Sequence, residues 1–539
     1  MTTETPTRAL AGSDPSSRWP DGHPQRRAIL GVLCLSLLVV VIDNTILNTA
    51  LPTLARVLPA GTSALQWITD AYTLCFAALL IPAGALGDRF GRRRALLGGL
   101  VVFAAGSLGA ALAGSADQLI GFRVLMGLGA AFVMPATLSI LNGVFPPAER
   151  AGAIGAWSAV AGVAIVIGPT LGGLLLTHFW WGSIFLVNLP LVALALVGVV
   201  AVVPETAEEG SHRLDLLGTV LSAVALFLVV DAIIEAPTRG WTAPLTLLEA
   251  VAGAAVLAAF VVLELRLEHP LIDLRVFTNR AFSVASGSVS VTFFALMGSL
   301  FVLTQFLQLV QGYSPLAAGV RALPFAVGMG LMSGLSAPLA TRLGSRVLLA
   351  AGLALMAGGL LDLSTVGVHT AYLPIGVAVT VMGLGMGLVM APASTTIMAT
   401  VPAHQAGAGS AVNDTVREVG GAVGVAVVGS LTAALYAHRL GSTLQAHHAP
   451  THAVQLATGS VAAADAVGRA VGGARGAALT AAAHSSFTSA MGVGLKAAAG
   501  VALAGALCAA LTRFGPARAT VGPRCAEAAV AELDPALAS

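Results

Sequence analysis

Three ionisable residues stand inside otherwise apolar stretches of this chain: Asp43, Asp70 and Arg123. A charged side chain at the centre of a bilayer costs roughly 2.5–3.5 kcal/mol on insertion scales, so each is a functional candidate whose partner must be found. A carboxylate beside a movable cation can bind and release a proton as its access to water changes. Two acids and one base at a shared depth would suit proton coupling. The plainer reading is a structural ion pair that only ties helices together. A second group is Asn413-Asp414-Thr415-Val416-Arg417-Glu418. Asp414, Arg417 and Glu418 fall at i, i+3 and i+4 and share one helix face. They read equally as an interfacial cluster that snorkels toward water and as acids of a substrate site.

Several chemistries find no support. No G-x-x-x-x-G-K-[ST] loop occurs, so nothing in the chain suggests nucleotide-driven work. No His-Glu-x-x-His or Gly-x-Ser-x-Gly element points to a hydrolase. Cys34, Cys75, Cys508 and Cys525 have neither metal-ligand nor disulfide-framework spacing. His447, His448 and His452 cluster in an Ala/Gly/Ser-rich stretch that reads as a poorly ordered loop rather than a metal site. No metal and no cofactor is expected.

The elements that must hold these charges are set by composition. Of 539 residues, 57% are apolar and 10% charged, with a mean hydropathy of +0.89. A soluble domain carries roughly 25% charged residues, so this chain cannot cover a water-facing surface. Roughly fourteen apolar runs of spanning length follow one another, from residues 28–50 to residues 406–436 and 486–512. The runs are continuous and do not alternate, which predicts helices rather than barrel strands. The 62 glycines suit close helix packing in lipid. On this spacing Asp43, Asp70 and Arg123 lie roughly 8–11 Å below the outer surface. Asp414 and Glu418 fall toward the cytoplasmic end of their helix, Asp231 at the end of the seventh, and Lys496 near the outer end of the last.

Arg and Lys placement sets the orientation. With a cytoplasmic N-terminus the inner segments hold Arg26, Arg27, Arg89, Arg92, Arg93, Arg94, Arg150, Arg342 and Arg346, whereas the outer ones hold only Arg56, Arg239, Arg439, Arg469 and Arg475. Both termini are then cytoplasmic in a multi-pass protein of the cell membrane. The first run is of full length, which predicts a retained span and not a cleaved leader. The net charge of +2 is topological and implies no nucleic-acid partner. Protons, membrane lipid and small amphipathic molecules are the expected partners, and the chain is expected to act as a monomer.

Gly84-Ala85-Leu86-Gly87-Asp88-Arg89-Phe90-Gly91-Arg92-Arg93 resembles the G-x-L-x-D-R-x-G-R-R/K loop of the major facilitator superfamily. That resemblance implies a gating loop at Gly84, Asp88, Arg89, Gly91 and Arg92, with Asp88 latching the cytoplasmic side shut. Leu119-Ile120-Gly121-Phe122-Arg123 resembles the helix-4 arginine motif tied to proton transfer. Gly168-Pro169-Thr170-Leu171-Gly172-Gly173 is similar to the antiporter motif of exporters. Independently of any family, Pro169 lets its helix bend, and Gly168, Gly172 and Gly173 let it pack closely. Asp43-Asn44-Thr45-Ile46-Leu47-Asn48-Thr49-Ala50-Leu51-Pro52 resembles the D-x-T-x-x-N-x-A-L-P signature of the fourteen-helix drug:proton antiporters. Trp67-Ile68-Thr69-Asp70-Ala71-Tyr72 and Trp181-Gly182-Ser183-Ile184-Phe185-Leu186-Val187-Asn188-Leu189-Pro190 resemble the branch that exports quaternary ammonium compounds and dyes. Gly182 departs from the arginine that many relatives carry nearby.

The resemblance implies an all-α membrane protein of the major facilitator fold. An N-terminal tail (1–27) would precede a six-helix bundle (28–203). A linker with an inserted two-helix hairpin (204–264) would lead to a second bundle (265–512) with a long outer loop near 437–485, then a tail (513–539). Ala337-Pro338-Leu339-Ala340-Thr341-Arg342-Leu343-Gly344-Ser345-Arg346 would be the second half's echo of the charged loop. The implied activity is secondary antiport and not enzymatic: Asp43, Arg123 and Asp70 couple protons, and Asp43, Asp70, Asn48, Asp414 and Glu418 meet cationic drugs. A dedicated exporter of a host-made natural product is the alternative; a non-transporting membrane sensor fits these motifs less well.

Overall fold

The computed structural model describes residues 22–58, 60–205, 215–267, 274–400, 406–446 and 450–512, and among them there is no β-strand. The first group of helices comprises α1 (Arg26–Val57), α2 (Thr62–Phe90), α3 (Arg92–Ala111), α4 (Ala116–Val144), α5 (Pro147–His178), the one-turn α6 (Ser183–Leu186) and α7 (Asn188–Val202). A hairpin of α8 (Leu216–Arg239) and α9 (Pro244–Arg266) follows. The second group opens with α10 (Arg280–Gln305), which continues into a π-helical turn, Phe306–Val310. Then come α11 (Pro315–Arg321), α12 (Leu323–Leu343), α13 (Ser345–Leu363), α14 (Tyr372–Thr400), α15 (Ala406–Ala446), α16 (Thr451–Gly459), α17 (Val461–Val471) and α18 (Gly473–Leu511).

Thirteen spans among the described residues are long and apolar enough to cross a bilayer. The 32-residue α5 lies between the fourth and fifth of them. Burial separates central helices from peripheral ones. In the most apolar stretch of the span that starts at Arg280, 83% of residues are buried, against 17% in α9. Leu248 and Val251 of α9 are more than half exposed, as are Leu507 and Leu511 of α18. Such surfaces suit lipid and not water.

The two groups repeat one another. Helix α2 ends at Gly91 (φ 111°) and α12 at Gly344 (φ 83°), and α3 and α13 start at the next residue. A positive φ at a one-residue turn favours glycine, which has no Cβ to clash. Next in order, α3 packs on α4 and α13 on α14. A Cβ on Gly99 of α3 would stand 2.8 Å from the Gly129 carbonyl of α4, and one on Gly352 of α13 2.7 Å from the Gly385 carbonyl of α14. Both halves thus use paired small residues to bring backbones together where no hydrophobic force separates helix from lipid. The inserted hairpin lies along the seam between the groups. Val230 and Ile234 of α8 pack on Leu74 of α2 and on Ala422 and Ala426 of α15.

The stretch after residue 436 departs from expectation. Helix α15 continues to Ala446, α18 begins at Gly473, and α16 and α17 fill most of the expected loop. Its alanines favour helix wherever the chain runs, so a hydropathy window cannot mark where α15 and α18 leave the membrane. This extension is packed. Tyr436 donates to the Ala457 carbonyl (2.9 Å), and His484 lies 3.0 Å from Asp465. His452 is on α16, and His447 and His448 lie outside the described residues. Lys496 is exposed, one turn from Gly492, whose backbone packs on the Ser364 carbonyl just past α13. It therefore sits near the end of the bundle although it is far from the end of α18.

A Cβ at position 129 would approach Phe103 N at 2.6 Å, whereas one at Gly121 in the same helix meets nothing within 4 Å. Gly129→Ala should therefore destabilise the purified protein by about 1–3 kcal/mol. Gly121→Ala should leave its thermal unfolding midpoint unchanged or slightly higher. Equal midpoints for the two variants would contradict the packing of α3 on α4.

Candidate functional site

Asp43 of α1 and Arg123 of α4 are fully buried and paired, Nη1 to Oδ2 at 2.5 Å. Asn188, the first residue of α7, donates to the other Asp43 oxygen at 2.8 Å and to Ser107 Oγ of α3 at 3.0 Å. Ser107 in turn donates to the Phe185 carbonyl at 2.8 Å. Arg123 Nε donates to the Ile68 carbonyl of α2 at 3.0 Å, and its guanidinium lies 4.2 Å from the centre of the Tyr72 ring. One ion pair thus gathers side chains or carbonyls from α1, α2, α3, α4, α6 and α7. Arg123 Nη2, Asn188 Oδ1 and Tyr72 Oη have no hydrogen-bond partner among the described residues. The network keeps spare donors and acceptors around the pair. Asn188 and Ser107 are members that sequence reasoning missed. Asn188 does occur in a quoted family motif, but nothing in the sequence shows that it faces Asp43.

Asp70 does not join this network. Both its oxygens are buried without a partner among the described residues, and it lines a small void with Asn44, Thr69 and Thr73 on one side and Phe293, Arg417 and Glu418 on the other. Helix geometry explains the split. Ile68 and Tyr72 are four residues apart and share the face toward Arg123, while Asp70 is turned about 200° from Ile68. Equal depth did not mean equal direction.

The placement of Glu418 near the cytoplasmic end is also corrected. Gln66 Nε2 of α2 donates to the carbonyls of Val425 (3.1 Å) and Ala426 (3.0 Å) and to Ser430 Oγ (3.1 Å). This registers the middle of α15 against the start of α2 and sets Glu418 opposite Asp70. Because α15 runs 41 residues, ten beyond the expected run, position along that run did not fix its register on α2. Asp414 lies 3.6 Å from Arg417, whose guanidinium stands 5.1 Å from the centre of the Phe293 ring.

Asp88 pairs with Arg92 of the same bundle at 2.6 Å, so the latch does not reach the other bundle in this conformation. Arg89 lies over its neighbour Phe90, 5.3 Å from the ring centre. Gly84 packs against Pro135 of α4. Sequence reasoning missed Glu205, whose carboxylate accepts from Arg93 N at 3.2 Å and lies 3.7 Å from Arg94. An acid at the N-terminus of α3 satisfies free backbone donors and the helix dipole; its only sequence signal is its place just after an apolar run.

The antiporter stretch has two faces. Gly168 and Gly172 pack on Thr45 and Ile46 of α1. A Cβ on Gly173 would stand 2.5 Å from Leu316 Cα of α11, and Gly319 of α11 packs on the Pro169 carbonyl. So α5 joins the second bundle at the end far from the Asp88 loop. At that same end Gln308 of the π-helical turn donates to the Thr49 carbonyl (2.8 Å), Arg56 donates to the Gln308 carbonyl (3.2 Å), and Thr62 donates to the Gly459 carbonyl (3.2 Å). These contacts close the molecule at the far end. Asn48, between the bundles, keeps its Oδ1 buried and unpartnered.

Two helical bundles packed about buried charges, with voids between them, make a membrane transporter and not an enzyme. The chain belongs to the Major Facilitator Superfamily, whose family model matches residues 33–425. It is 39% identical over 414 residues to multidrug resistance protein Stp of Mycobacterium tuberculosis (strain CDC 1551 / Oshkosh), covering 77% of this chain and 76% of that protein. It is 33% identical over 514 residues to the tetracenomycin C resistance and export protein of Streptomyces glaucescens, covering 94% and 93%. Multidrug efflux pump LfrA of Mycolicibacterium smegmatis is 36% identical, with 81% and 83% covered. Among solved structures, a bacterial homolog of the human lysosomal transporter Spinster, inward-facing and occupied, matches 92% of this chain and 99% of its own at a TM-score of 0.64 and 19% identity, a likeness of fold.

Gly173→Leu should force α5 away from α11 and open the far end. In a cysteine-free background carrying Asn48→Cys, reconstituted in liposomes, labelling by an impermeant maleimide from that end should rise severalfold. Unchanged labelling would show that this seam does not close the cavity.

Proposed function

We propose that this transporter is a proton-coupled exporter of amphipathic, cationic organic compounds across the cell membrane. In this reading α5 is the fourteenth span, the Asp88 face and both termini are cytoplasmic, and one chain suffices. Arginine placement supports the orientation. The names of the relatives support drug export: two are multidrug proteins and one is named for resistance and export. The observation that carries proton coupling is the fully buried Asp43–Arg123 pair with its spare donors and acceptors.

The proposed cycle starts from the conformation described, closed at the outer end. Substrate enters from the cytoplasm or inner leaflet into the space between the bundles. Asp70 and Glu418, facing one void from opposite bundles, hold its cation. Rocking the bundles breaks the α5–α11 and α1–Gln308 contacts and admits outside water. A proton then adds to Asp43, frees Arg123 from its carboxylate, and biases the return to the first state. Such coupling is a population shift driven by differential proton affinity. One charge crossing 100 mV supplies about 2.3 kcal/mol, a modest gradient per proton. A second reading is a dedicated exporter of a host-made compound. It is favoured by the match along nearly the whole of the tetracenomycin C exporter. A substrate screen in a pump-deficient strain separates the two.

Efflux of a cationic dye from loaded vesicles should collapse when a protonophore is added. Asp43→Asn should abolish efflux while membrane insertion is retained. Continued pumping in either case would end the proton-coupled reading. Because Asp70 and Glu418 share a void, Asp70→Asn and Glu418→Gln should each weaken export of a dicationic dye more than that of a monocationic one. A loss confined to one of the two variants would place the cation in a single bundle.

A further inference from the structure

The larger space between the bundles has the opposite electrostatic character. A cavity of about 50 Å³ in this closed conformation is walled by Leu300, Leu303, Phe325 and Val379 of the second bundle and by Thr45 and Asn48 of the first. Its one charged lining residue is Arg321, and none of Asp43, Asp70, Asp414 or Glu418 reaches it. Arg321 makes no ion pair among the described residues. Its Nη1 donates to the Ala317 carbonyl at 3.0 Å, while its Nε is buried without a partner. The guanidinium is fixed by two rings, with centres 3.8 Å away for Tyr313 and 5.1 Å away for Tyr372, and the Tyr372 hydroxyl donates to the Arg321 carbonyl at 2.9 Å. Asn48, on the other bundle, lines the same cavity with its unpartnered Oδ1.

A cation in an apolar cavity without a counter-anion is unfavourable, and a guanidinium held flat presents donors suited to an oxyanion. We propose that Arg321 is a specificity-determining residue that receives the anionic oxygen, carboxylate or phenolate, of flat apolar substrates bound in this cavity. Asn48 accepts a hydrogen bond from a hydroxyl or N–H at the substrate's other edge. The transport path then has two poles, Asp70 and Glu418 for cations and Arg321 for anions, in neighbouring voids that share Met297 of α10 as a wall. This rests on the exporter reading and extends it to a second substrate class. The competing role for Arg321 is mechanical, a clamp between α11 and α14 through its tyrosine stack.

Fluorescein and rhodamine 6G share a ring frame and carry opposite charge. The full chain, reconstituted in liposomes under a proton gradient, should export both. Arg321→Gln should lower fluorescein export about tenfold, as loss of a charged hydrogen bond requires, and leave rhodamine 6G export within about twofold. Arg321→Lys should restore part of the fluorescein activity, since it keeps the charge and loses the planar fork. Fluorescein anisotropy with the detergent-purified protein should show binding that weakens in the same order. If wild type binds no fluorescein, or if Arg321→Gln and Arg321→Lys depress both dyes equally, Arg321 is only a clamp and the proposal falls. Arg321-dependent fluorescein binding without transport of either dye would overturn the exporter reading and leave the site standing.

Discussion

An ion pair sealed from water, Arg123 on Asp43, constrains how most of the first bundle sits. Such a pair adds little stability over apolar packing, but losing one partner costs about 3–5 kcal/mol because the other is left buried and uncompensated. The helices around it must therefore keep their relative positions. Helix α1 brings the carboxylate, α4 the guanidinium, α2 a carbonyl and an aromatic face, and α7 and α3 the Asn188–Ser107 bridge. A change in the charge of Asp43 is felt by all of them, which is what makes the pair suited to coupling.

Rigidity within each bundle contrasts with the contacts between them. Inside the bundles, glycines on α3, α4, α13 and α14 bring backbones together. Between the bundles, at the end far from the Asp88 loop, Gln308 and Arg56 bridge α1 to the π-helical turn, Gln66 ties α2 to α15, and α5 meets α11 through small residues. Two stiff bodies that meet along such a seam can rock as units. The π-helical turn at Phe306–Val310 belongs to this seam, since Gln308 within it reaches Thr49. Helix α8 lies across α2 and α15 and packs on both through Val230 and Ile234.

Charge is distributed by face as much as by depth. Asp43 and Arg123 neutralise one another inside the first bundle. Asp70, Glu418 and Arg417 meet across a bundle boundary, and Arg321 stands apart in an apolar cavity with two tyrosines. The acids and Arg321 line separate voids with Met297 in the wall of both, and Arg321 makes no ion pair among the described residues.

The sequence by itself determined the class and the family. Length, hydropathy and the scarcity of charge leave only a helical membrane protein, because backbone groups in lipid must bond within their own segment. The loop around Asp88 and the stretches at Asp43, Arg123 and Gly168 were legible as local strings, and the glycine that ends α2 has its counterpart in α12. Tertiary structure decided which charges meet. A hydropathy window reports depth and not azimuth, so it could not show that Asp70 turns away from Arg123 or that Asn188 faces Asp43. Nor could it find where α15 and α18 leave the bilayer, since alanine continues a helix on either side of the interface. The pairing of Glu418 with Asp70 across the void follows from the register of α15 on α2, which Gln66 fixes by hydrogen bonds between residues some 360 positions apart. Contacts at that separation are set by packing and leave no periodic trace in the chain.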